Sequence, residues 1–121
     1  MNVWLLTAAA LSLITCGLHV FVRGPVVARP LLASQDLRTV AKYTNYYCWH
    51  IVTLVLLLMS GSFVISAMTG GHDLAWLAFV QAIAFMLWSL ALVARKRLDP
   101  VKVPQWALFL SIASSAVLGL I

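Results

Sequence analysis

Acidic side chains are nearly missing from this chain of 121 residues: three aspartates, Asp36, Asp73 and Asp99, stand against eight lysines and arginines. All three fall in loops or at helix ends, so no apolar run carries a carboxylate. Proton-coupled exporters commonly depend on an acidic group within the membrane, and its absence counts against a small transporter. The two cysteines, Cys16 and Cys48, form no Cys-x-x-Cys pair, which removes the motif for thiol exchange. There is no glycine-rich phosphate loop and no nucleophile–base–acid set, so the chain reads as non-enzymatic. Charged residues make up only 9% of it, against about 25% in a soluble domain.

What fills the space is apolar. Hydrophobic residues are 64% of the chain and the mean hydropathy is +1.03. A water-soluble fold of this size has too little interior to hide such a surplus, which makes the bilayer the expected solvent. The net charge of +5 does not point to nucleic acid, because the basic residues are split between two short segments beside apolar runs, where topology signals belong.

Four apolar runs give the expected fold class, an all-α bundle of four transmembrane helices forming one domain, with spans at about 3–22, 46–68, 74–94 and 104–121. The first run is about 20 residues long with no Lys or Arg before it, which reads as a span rather than a signal sequence. Gly24-Pro25 and Pro30 predict a loop over Arg23 to Ala33. Ser34 is placed to cap a following helix, whose amphipathic beginning at about 35–45 should lie along the interface. Gly61 suits a close helix crossing. Thr69-Gly70-Gly71-His72-Asp73 predicts a tight turn, and Pro104 fits the first turn of the last helix. Ala8, Ser12 and Cys16 on the first span, and Ser111, Ser115 and Gly119 on the last, make small-residue stripes that suit close packing in lipid.

Charge sets the expected orientation. The first loop region carries Arg23, Arg29, Arg38 and Lys42, and the third carries Arg95, Lys96, Arg97 and Lys102, which together are all eight cations of the chain. The second loop has none. The positive-inside rule then places loops 1 and 3 in the cytoplasm and both termini outside. Trp4 and Trp76 fall at the outer interface, Trp49 and Trp106 at the inner one.

The segment Tyr43 to His50 concentrates the candidate chemistry. His19 near the end of span 1 and His50 near the start of span 2 come to similar depths, with Tyr46, Tyr47, Trp49 and Arg23 close by. Ionisable groups at such positions are functional candidates by default. Paired histidines invite axial ligation of a b-type haem, with Arg23 or Arg29 near its propionates, or a transition metal held by His19 and His50. The same residues also suit a hydrophobic small ligand such as a quinone or lipid, with His, Tyr and Trp as polar handles. Against these stands the bland reading: histidines hydrogen-bonded across a helix contact, and aromatics anchoring the interface. A zinc site from Cys16, His19, Cys48 and His50 fits badly, because residues two apart face different sides of a helix.

The block from Gly17-Leu18-His19 through Arg29-Pro30-Leu31-Leu32-Ala33-Ser34 to Tyr46-Tyr47-Cys48-Trp49-His50 resembles small bacterial four-span integral membrane proteins of unknown function. The resemblance covers under half the chain and implies a multi-pass protein of the bacterial inner membrane. It transfers no functional residue. The stripes on spans 1 and 4 make the leading expectation an accessory or interaction subunit, a homo-oligomer or a member of a larger membrane complex, whose contact surface is His19, Arg23, Tyr46, Tyr47, Trp49 and His50.

Overall fold

A computed structural model describes residues 1–121, all of them in helices or the links between them. There are four helices and no strand. Helix α1 runs Val3–Ala33 and α2 runs Thr39–Thr69, 31 residues each; α3 is Asp73–Lys96, 24 residues. These three are long and apolar enough to cross a membrane. Helix α4, Gln105–Leu120, is apolar but has 16 residues, about 24 Å by the α-helical rise.

The expected loop over 23–33 is helix. Its prolines are absorbed by a change of winding. Val3–Gly17 is α-helical, Leu18–Ala28 is π-helical, and Arg29–Ala33 is α-helical again. An α-helical register would set the Pro25 ring against the carbonyl four residues back. The wider π turn opens that contact, and bonding shifts to five residues, as in Arg29 N–H to Gly24 O. Pro30 sits in the first turn of the last α segment, directly after the π-helical stretch. Most π-helix in proteins is a single turn; here it runs for 11 residues.

The chain therefore reverses later than the prolines suggest. Ser34, extended at ψ 130°, ends α1 instead of capping α2. Gln35 to Arg38 form the link, and α2 begins at Thr39. There is no separate interfacial helix over 35–45; residues 39–45 are the first turns of α2. The turn at residues 69–73 is as expected. Gly70 closes α2 in the left-handed region at φ 77°, which favours glycine. Ser66 Oγ then accepts the N–H of Ala75 at 3.1 Å and caps α3 from the helix before it.

Hydrogen bonds between helices fix the register. Asn2 N–H reaches Ala67 O, Ser60 Oγ reaches Ala9 O, Cys16 Sγ reaches Thr53 O, and His19 Nε2 meets Trp49 O. Helices α1 and α2 thus run antiparallel. Ser115 Oγ to Trp4 O and Arg23 Nη2 to Lys102 O set α4 and the segment before it antiparallel to α1. The Phe85 and Phe109 rings meet edge to face at 5.3 Å between α3 and α4. The eight cations therefore gather at one end of the bundle, and the turn with His72 and Asp73 lies at the other.

Only 21 of the 121 residues are buried, so most of the apolar surface faces outward. A bundle in lipid gains little from apolar burial and is held by close packing and hydrogen bonds. The interior fits that rule: Ala8, Ala9, Ser12, Ser66, Ala75, Ala78, Ala82, Ala113, Ser115 and Ala116 are buried around Leu5, Leu56, Met59, Phe63 and Ile112. The stripe residues Ser12, Cys16, Ser115 and Gly119 lie inside this core. Ser111 is exposed and bonds its own helix at Leu108 O. Gly61 is no crossing point, since a Cβ there would meet nothing within 4 Å.

Candidate functional site

The core does not fill the bundle evenly. On α3 the buried residues stop at Ala82, and beyond Cys16 on α1 only Ala28 is buried. Toward the basic end residues of all four helices line a half-open cavity of about 740 Å³. Its wall is apolar, with Val52, Val55 and Leu56 of α2, Phe85, Trp88 and Leu92 of α3, and Leu108 and Phe109 of α4. Few polar groups reach it: Thr15, His19, Arg23, Trp49, Ser89 and Gln105.

His19 and Trp49 are brought together. Their rings stack at 3.9 Å with 21° between planes, and His19 Nε2 lies 3.0 Å from the Trp49 carbonyl oxygen. Both line the cavity. Arg23 stands at its mouth and donates to Lys102 O at 2.8 Å, tying α1 to the link before α4.

The other predicted residues face elsewhere. His50 is exposed and meets the edge of Tyr46 at 4.7 Å. Both line a second, shallower groove of about 400 Å³ on the outer side of the π-helical segment, together with Phe21, Gly24, Pro25 and Arg29. Trp49 borders both spaces, while His19 lines one and His50 the other. The two histidines thus do not converge on one volume as axial ligands of a single haem would. His19 Nε2, the nitrogen most often used by a metal, is engaged by a carbonyl. No group of three or more His, Cys, Asp or Glu side chains gathers anywhere. Tyr47 points outward, 67% exposed. Cys16 and Cys48 are free thiols, one buried and one exposed.

Sequence reasoning missed two contributors. Ser89 and Gln105 reach the cavity from α3 and the start of α4, and only the fold reveals their depth. Asn2, at the opposite end, was also passed over, although asparagine before an apolar run is an N-cap signal: its Oδ1 accepts Leu5 N–H at 3.2 Å. Its Nδ2 also donates to Gly119 O at 2.7 Å, a contact no local pattern announces. Comparison with protein-family models, with curated proteins and with solved structures gives no match.

Proposed function

We propose that the chain is a four-span protein of a bacterial inner membrane that holds an amphipathic small molecule of the lipid or quinone class in the cavity at its basic end. The observation that carries this reading is the cavity itself, about 740 Å³ with a predominantly apolar wall and a few polar groups. Ligand sites commonly have that size and composition. An acyl or isoprenoid tail fits the α2, α3 and α4 walls, and the polar end falls to His19 and Trp49, with Arg23 and Gln105 at the mouth.

The charge distribution supports an orientation with the basic end in the cytoplasm and both termini outside. The 16 residues of α4 serve as a fourth span if the bilayer thins slightly around it. Apart from exposed Ser111, the small-residue stripes pack within the chain, so the accessory-subunit reading would need another contact surface.

The test is native mass spectrometry of the full chain released from mild detergent, with lipid extraction of the same sample. A retained amphiphile of defined mass, lost in Ala107→Trp, is the expected result. Protein that emerges empty, and stays empty when lipid and quinone extracts are added back, would sink the reading. A reporter-fusion map placing residues 70–72 in the cytoplasm would reverse the orientation.

A further inference from the structure

The polar end of the cavity rests on one backbone oxygen. Each carbonyl inside an α-helix accepts an amide N–H from four residues on and keeps one lone pair free. In this chain a hydroxyl four residues on commonly takes that lone pair: Thr7 on Val3, Ser12 on Ala8, Thr15 on Leu11, Ser62 on Leu58 and Thr69 on Ile65. Thr53 stands four residues after Trp49, so its acceptor should be the Trp49 carbonyl. That oxygen instead meets His19 Nε2. Thr53 Oγ1 is left as the one buried side-chain polar atom in the chain with no partner. The imidazole has taken its place.

A carbonyl oxygen has no proton to give. The bond therefore puts a proton on Nε2; no carboxylate lines the cavity to balance an imidazolium beside Arg23, so the ring is neutral and Nδ1 keeps its lone pair. Nδ1 makes no hydrogen bond within the protein and is not sealed from its surroundings, and His19 lines the cavity. Nδ1 is thus an acceptor on offer, while the Ser89 hydroxyl on the α3 wall can donate or accept. Resting on the cavity reading above, we propose that the ligand is a neutral alcohol-headed amphiphile, whose O–H donates to Nδ1 of His19. Its oxygen lone pairs remain free for Arg23 or Gln105. A carbonyl, ether or phosphate diester at the same place would set lone pair against lone pair.

The experiment uses the full chain in mild detergent and two probes of nearly equal shape, 1,2-dioctanoylglycerol and its 3-O-methyl ether. Binding is read by titration in native mass spectrometry. The alcohol should bind about five- to tenfold more tightly than the ether, the worth of one hydrogen bond. His19→Phe keeps the stack on Trp49 and should erase the difference, while Ala107→Trp should abolish both. The ¹⁵N shifts of His19 in the unaltered protein give a readout that needs no variant, and should show the neutral Nε2–H tautomer. Equal binding of both probes, abolished by Ala107→Trp, would overturn the alcohol proposal and leave the cavity reading standing. Binding of neither would overturn both. A proton on Nδ1 would overturn the proposal at its source.

Discussion

The two ends of the bundle are built on opposite rules. At the end holding both termini, small residues bring the helices close and Asn2 joins three of them, capping α1 while bonding Ala67 O of α2 and Gly119 O of α4. At the basic end the helices carry larger side chains, α1 widens into a π-helix, and a cavity of about 740 Å³ remains. One half supplies stability, which leaves the other free to stay open. Loosely packed regions are where ligand sites are usually found, and π-helical turns recur at functional sites.

The sharpest break in that comparison comes from one methyl-sized change placed at two glycines. A Cβ on Gly119 would lie 2.8 and 2.9 Å from Leu5 side-chain carbons and 3.0 Å from Asn2 Oδ1. Leu5 is fully buried, so the neighbour cannot swing away. Gly119→Leu should cost about 3 kcal/mol or more, and Gly119→Ala about 1–3 kcal/mol, read as the loss of thermal stability in detergent. Gly61→Ala, with open space around it, should raise stability by about 0.5–1 kcal/mol through helix propensity alone. Equal tolerance at both sites would refute the close α1–α4 contact.

Asn2 comes next. Asn2→Ala removes an N-cap and the bond to Gly119 O, and should cost about 1–2 kcal/mol. At the open end a cavity-filling change such as Ser89→Leu should leave stability within about 0.5 kcal/mol while displacing bound amphiphile. A large stability loss there would mean that the cavity end is packed as tightly as the other.

Helix content and the gathering of charge were legible in the sequence, because long apolar runs and eight cations in two segments admit few arrangements. Proline was the misleading signal. Local sterics at Gly24-Pro25 and Pro30 argue for a break, yet the helix continues by changing its winding. Pairing of the first half of α2 with the π segment, seen where Phe21 and Pro25 share a groove with Tyr46 and Trp49, favours that continuation. Of the candidate site, the expected meeting of His19 with His50 is replaced by two pairs, His19 with Trp49 and His50 with Tyr46, on opposite sides of the indole. Sequence spacing gives the height of a residue along a helix but not which side of a neighbouring indole it takes. Of the small-residue stripes, read as surfaces for lateral association, Ala8, Ser12, Cys16, Ser115 and Gly119 pack inside the bundle while Ser111 is exposed. Whether they face another copy or the same chain depends on α4 returning beside α1, a non-local fact.

The finest distinction concerns two threonines on facing helices. Thr15 Oγ1 donates to Leu11 O at 2.8 Å, whereas Thr53 Oγ1 has no partner. The same substitution should therefore act with opposite signs. Thr15→Val removes a formed hydrogen bond and should cost about 0.6 kcal/mol, the usual worth of such bonds between membrane-embedded groups. Thr53→Val removes an oxygen that is buried without a partner and should stabilise by about 1 kcal/mol, since an unsatisfied buried polar group carries its desolvation penalty uncompensated. Thermal unfolding of the two variants side by side measures the difference. Should Thr53→Val destabilise instead, its hydroxyl is bonded in the membrane, and the Trp49 carbonyl is the acceptor nearest in register. His19 would then be free of that carbonyl, with either ring nitrogen able to carry the proton, and the cavity would no longer discriminate an alcohol from its ether.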